Sequence, residues 1–222
     1  MTNIRNASGY SLAELMIASL VMTIILGGLF STLDSTQTFY ENYADNSDMR
    51  QRARVAMDTM ATELRYTGYD VGDLTEALSQ ADDTTVQFVA DIDDGEASGP
   101  CDASQESATN GGAERITYSL NTGTGELTRT VDCYDGSAWI ANVQSSVVLD
   151  NFDASSLLFT YYDETGTRIP LGGGSLDADG RSDVRSIEIY FGLVDDSETQ
   201  LIGESNTNLQ LRTTVRLHNE QI

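Results

Sequence analysis

Nineteen residues from Leu12 to Phe30 carry one strongly polar side chain, Glu14. As a helix, that run spans about 28 Å, close to the thickness of a bilayer's hydrocarbon core. A carboxylate inside it costs about 2.5–3.5 kcal/mol at a bilayer centre on insertion scales, so it calls for a partner. Two readings of Glu14 are open from the residues alone. It reaches back to interfacial water, or it is a charge kept for pairing. A cleaved secretory signal fits poorly. Its apolar region is shorter, about 7–15 residues, and ends at a small-x-small site. No clear site of that kind follows this run. Arg5 and the amino terminus supply the only positive charges before Arg50. That asymmetry keeps the N-terminal side cytoplasmic and sends the bulk of the chain outward.

The helix is expected to continue past the apolar run, from Tyr10 to Tyr66, about 85 Å in all. No proline occurs before Pro100. Phe39, Tyr43, Met49, Ala53, Met57, Met60 and Leu64 fall at spacings of three and four with one longer gap, which predicts one buried face. Arg50, Arg52, Arg54, Asp58 and Arg65 occupy the opposite side. Gly27-Gly28 is the weak point, at about 1 kcal/mol per glycine in a helix interior. Unwinding there and close helix packing there are both open readings.

After Gly68 the pattern changes to short alternating runs split by Gly, Asp, Asn and Ser. The candidate strands are 84–90, 114–120, 126–132, 145–149, 156–162, 184–194 and 207–217. Ile116, Tyr118 and Leu120 lead into Asn121-Thr-Gly-Thr-Gly125 and then Leu127 and Val131, a hairpin pattern. Residues 157–162 and 167–171 around Asp163-Glu-Thr-Gly166 read as a second hairpin. The expected fold class is α+β: a long N-terminal helix whose amphipathic second half packs on a C-terminal antiparallel sheet, or on two small ones.

Composition narrows function. The chain has 35 acidic and 12 basic residues, net −23, and every basic residue is arginine. Such a surface repels phosphate backbones, so nucleic acid is not an expected partner. The arginines at 50, 52 and 54 are read as ion-pairing groups, with acidic residues of this chain or of a neighbouring subunit. Cys101 and Cys133, both outside the apolar run, suit a disulfide in an oxidising compartment; a pair of buried free thiols is the other reading.

Two acidic turns carry alternating aspartates that calcium could use: Asp91 to Glu96, and Asp177, Asp179 and Asp183. Neither completes a twelve-residue calcium loop, and solvated turns are the competing reading. No cofactor is otherwise expected. His218 is the only histidine, too few for a zinc site or an evident serine triad. Gly172-Gly173-Gly174 lacks the lysine of a phosphate loop. An enzyme is therefore not expected.

The order Gly9-Tyr10-Ser11-Leu12-Ala13-Glu14-Leu15-Met16, followed by the apolar run, resembles the N-terminal signal of type IV prepilins and pseudopilins. Tyr10 stands where that family usually has phenylalanine, and Ala13 where isoleucine or valine is common. The stretch Arg54 to Met57 and Glu63 to Tyr69 resembles the helix end of PilW-type minor pilins and the related GspJ-type minor pseudopilins. The resemblance implies a leader at 1–9, a membrane and filament-core helix at 10–33, its amphipathic continuation at 34–67 and a β-rich head at 68–222. It implies cleavage between Gly9 and Tyr10 by a prepilin peptidase, N-methylation of Tyr10, and pairing of Glu14 with a neighbouring subunit's amino terminus. The implied partners are major and minor pilins, the peptidase, the inner membrane and the pilus assembly platform. The implied location is the inner membrane as a single-pass protein with a periplasmic head, then a cell-surface pilus. A minor pseudopilin of a type II secretion system and a pilus-mounted adhesin or ligand-binding module are the alternatives.

Overall fold

The computed structural model describes residues 11–69, 71, 76–92, 101, 113–134, 138–150, 158–193 and 209–217. Contacts divide the chain into two compact units, 1–47 and 48–222. One helix, α1 (Leu12–Arg65), contributes to both. It passes through Gly27 and Gly28 without a break. It ends where the sequence supplies a stop: Thr67 Oγ1 donates to the Leu64 carbonyl at 2.7 Å, and Gly68 takes a left-handed φ of 80°.

In the second unit, a five-stranded antiparallel sheet has the order β1-β2-β3-β4-β5. Its strands are β1 (Leu78–Ala81), β2 (Thr85–Ala90), β3 (Glu114–Asn121), β4 (Glu126–Tyr134) and β5 (Trp139–Leu149). A three-stranded antiparallel sheet joins β6 (Phe159–Tyr162), β7 (Ser186–Leu193) and β8 (Leu209–Arg216), with β7 in the middle. A short helix, α2 (Ala178–Ser182), lies between β6 and β7 in sequence. The α+β class is therefore observed, with two sheets.

Both sheets and the second part of α1 share one core. Ala53, Met57, Met60 and Leu64 of the helix join Phe88, Ile116, Tyr118 and Val131 of the larger sheet. Phe159, Tyr161, Ile187, Ile189 and Phe191 of the smaller sheet belong to the same cluster. The period-two alternation of these strands puts their apolar residues on the shared face. Backbone bonds tie the sheets together: Leu176 N–H donates to the Ala81 carbonyl at 2.8 Å, and Phe159 N–H to that of Asp83 at 3.1 Å. The Tyr161 hydroxyl adds a 2.8 Å bond to the Asp82 carbonyl.

One polar group is set into the helix–sheet contact. Glu63 of α1 accepts from Arg129 Nε at 3.0 Å and from the Tyr118 hydroxyl at 2.7 Å. Arg129 also donates to Gln144 Oε1 at 3.2 Å. Burial raises the pKa of Tyr118 above its ordinary value, and the Glu63 charge raises it further. Burial opposes the Arg129 charge, but Glu63 outweighs it and holds the guanidinium firmly protonated. A paired, hydrogen-bonded charge in this position fixes which stretch of helix meets which strands.

Several expectations are corrected. Phe39 and Tyr43, assigned to the buried helix face, are exposed. The buried stripe is supplied by Ala53, Ala56, Met57, Met60, Ala61 and Leu64, with Met49 partly buried against it. Strand 145–149 is the end of a much longer β5, and β1 is an additional strand. The hairpin around 121–125 is present, as β3 and β4. The one around 163–166 turns back with a single bridge, Tyr162 with Arg168, supported by Asp163 N–H on the Thr167 carbonyl at 3.0 Å and Ile169 N–H on the Tyr161 carbonyl at 2.9 Å, but 167–171 forms no strand; the full pairing of β6 is with β7. Gly172-Gly173-Gly174 forms a tight turn, with φ of 71° and 105° at the last two positions. Glycine adopts those angles without a Cβ clash.

Candidate functional site

The described N-terminal unit consists of Ser11 and helix. From Leu12 to Leu33, thirteen large apolar side chains are 41–78% exposed. Leaving that much apolar surface in water forgoes about 12–24 kcal/mol, at 1.5–3 kcal/mol for a fully buried side chain scaled by the part still exposed. Lipid or other protein must therefore cover this surface. By length and composition the helix can cross a membrane.

Its polar side chains are adapted to such surroundings. Ser19 donates to the Met16 carbonyl at 2.9 Å, Thr23 to that of Ser19 at 2.8 Å and Thr32 to that of Gly28 at 2.9 Å. Each hydroxyl is thus satisfied within the helix and adds little to the cost of an apolar environment.

Glu14 occupies the first turn. Leu15 N–H donates to the Ser11 carbonyl at 3.2 Å, which makes Ser11 the cap residue. Ser11 N–H in turn donates to Glu14 Oε2 at 2.9 Å. This is one half of a capping box, and the spacing Ser11-x-x-Glu14 was its sequence signal. Sequence reasoning that treated Glu14 only as a charge in an apolar run missed the role of Ser11. The carboxylate is thereby oriented toward the helix start, where the positive end of the helix dipole also favours it. One amide uses one of roughly four acceptor positions, so capacity remains for a cationic partner. Gly9 and Tyr10, the expected processing site, lie outside the described residues.

Cys101 and Cys133 form a disulfide with Cα atoms 5.5 Å apart, and both are fully buried. The bond ties residue 101 to β4 across a separation of 32 residues.

The second calcium candidate is occupied by helix capping. Asp177 Oδ1 accepts from Gly180 N–H at 2.8 Å, and the Asp183 N–H reaches the Asp179 carbonyl at 3.2 Å. Asp177, Asp179 and Asp183 do not converge: among the described residues no group of three His, Cys, Asp or Glu side chains could hold a metal. In the first candidate turn, 93–96 lies outside the described residues, as does His218. Arg52 meets Asp150 at 3.5 Å, both about half exposed, an ion pair of little net worth.

No protein-family model and no curated protein sequence matches the chain. Among solved structures it is similar to a type IV-like pilin from Thermus thermophilus, at 16% identity and a TM-score of 0.41. The match covers 76% of this chain and 96% of that one. A likeness at this level leaves the functional reading to the residues themselves.

Proposed function

We propose that this chain is a minor pilin of a type IV pilus. A prepilin peptidase cuts it after Gly9 and methylates the new amine of Tyr10. The observation that carries this reading is the helix start. An exposed apolar helix of membrane length holds one carboxylate in its first turn, five residues after a glycine and four after an aromatic residue. The subunit waits in the inner membrane with its N-terminus cytoplasmic and its head periplasmic. On assembly, Glu14 pairs with the freed amine of a neighbouring subunit, and the apolar face passes from lipid to a bundle of like helices. Opposite charges in a low-dielectric core attract strongly, and each alone is penalised, so the pair sets the axial register. The tip or priming complex is the proposed place of the subunit in the filament, and the pilus carries it to the cell surface.

The mutational test separates processing from assembly. Glu14→Ala leaves cleavage intact and lowers recovery of the chain in sheared filaments at least about ten-fold, the equivalent of about 1.4 kcal/mol. Gly9→Ala leaves the leader attached, seen as a heavier chain on mass analysis. Wild-type filament recovery of Glu14→Ala would count against the reading.

A further inference from the structure

Phe39, Tyr40 and Tyr43 stand on α1 past the apolar run and are 56%, 68% and 70% exposed. At about 100° per residue they fall within one arc of about 100°. Asp34, Glu41 and Asp45, also exposed, cluster on the opposite side within about 40°. This part of the N-terminal unit therefore has an aromatic side and an acidic side.

Height along the helix selects what the aromatic side meets. The exposed apolar stretch from Leu12 to Leu33 is about 33 Å long. A hydrocarbon core is about 30 Å thick, with a headgroup layer of about 5–7 Å on each side. Phe39 lies about 9 Å beyond Leu33, and helical side chains lean back toward the N-terminus, here toward the bilayer. A stretch slightly longer than the core tilts, which lowers one side of the emerging helix onto the surface. That tilt brings Tyr43, one turn farther out, within reach of the layer.

Cationic anchors are missing at this height. No lysine or arginine occurs between Arg5 and Arg50, and Arg50 is about 25 Å past Leu33. Aromatic rings are the other residue type that fixes a helix at a membrane–water interface. Tyrosine suits the position because its ring lies against acyl chains while its hydroxyl bonds to phosphate, ester or water.

We propose that the aromatic side, Phe39, Tyr40 and Tyr43, docks in the phospholipid headgroup layer beyond Leu33, with Asp34, Glu41 and Asp45 turned to water. It rests on the membrane-spanning part of the pilin reading and not on cleavage or filament assembly.

The full-length chain is reconstituted in phosphatidylcholine vesicles that carry a nitroxide either near the glycerol end of the acyl chain or near its methyl end. Met22→Trp, Tyr40→Trp and Glu41→Trp each add one fluorophore, and the unaltered chain, with Trp139 alone, gives the baseline. Met22→Trp reports the span itself and is quenched most by the deep label. Tyr40→Trp is quenched about two-fold more by the shallow label than by the deep one, and Glu41→Trp stays at the baseline. Quenching at 40 no greater than the baseline overturns the proposal, as does equal quenching at 40 and 41. Shallow quenching at 40 that falls as the protein is packed more densely also overturns it, since a second copy would then cover the aromatic side. Failure of the deep label to quench Met22→Trp overturns the membrane-spanning reading as well, whereas quenching at 22 alone overturns only the aromatic anchor.

Discussion

Glu14 and Glu63 lie on the same helix and meet opposite demands. Glu14 is exposed on an apolar surface and held by one amide of its own chain. Glu63 is largely buried and holds two side chains of the sheet. Replacing Glu63 by Ala leaves the half-buried Arg129 guanidinium and the Tyr118 hydroxyl without their shared acceptor and costs about 1–3 kcal/mol. Denaturant unfolding of the full chain, followed by tyrosine fluorescence, reads this as a lower midpoint. Glu14→Ala moves that midpoint by less than about 0.5 kcal/mol equivalent, because Glu14 is exposed and its hydrogen bond is to Ser11 at the helix start. Tyr118 and Tyr161 give an alkaline signature. Burial raises both pKa values, with Glu63 adding at Tyr118 and Asp82 and Asp83 at Tyr161. A raised folded value means that the folded state keeps a proton the unfolded chain releases near pH 10. Their stabilisation is therefore complete below about pH 10 and declines as pH rises above it. Tyr118→Phe should make that decline shallower by up to about 1.4 kcal/mol per pH unit, measured by denaturant titrations between pH 9 and about 11.

Among the elements, β4 has the most constraints on it. It pairs with β3 and β5 and carries Cys133, Arg129 and Asp132. Removing the disulfide with Cys101→Ser and Cys133→Ser should destabilise the head by about 3–4 kcal/mol, read as a lower denaturant midpoint that reductant no longer shifts. The elements also differ in how legible they were. The β3–β4 hairpin was readable because Ile116, Tyr118 and Leu120 alternate up to a turn with glycine at its left-handed position, Gly125. The length of β5 was not readable. Asn142 interrupts it with a φ of 56°, and the register against β4 shifts between Val131 and Cys133. What holds that irregularity is remote in sequence: Asp132 accepts from Asn142 N–H at 2.7 Å while also binding Arg115. Arg115 in turn lies 4.7 Å over the Trp139 ring. Phe39 and Tyr43 misled because spacing identifies a face and does not say how far along a helix that face is covered. The Glu63–Arg129 pair spans 66 residues, so no local pattern announced it.

For the whole molecule, the balance of surfaces points one way. A head with its own core continues from a helix whose large apolar side chains between Leu12 and Leu33 are exposed. The acidic composition favours solubility and adds repulsion between copies. Association therefore depends on a surface where that repulsion is offset, namely the exposed apolar stretch from Leu12 to Leu33. In the proposed function the chain is cut after Gly9 and retains its apolar helix. Intact-mass and N-terminal peptide mass spectrometry of the protein purified from its native membranes tests it most directly. The expected result is a chain beginning at N-methyl-Tyr10. A chain beginning near residue 32, or one retaining its leader from Met1, would contradict it.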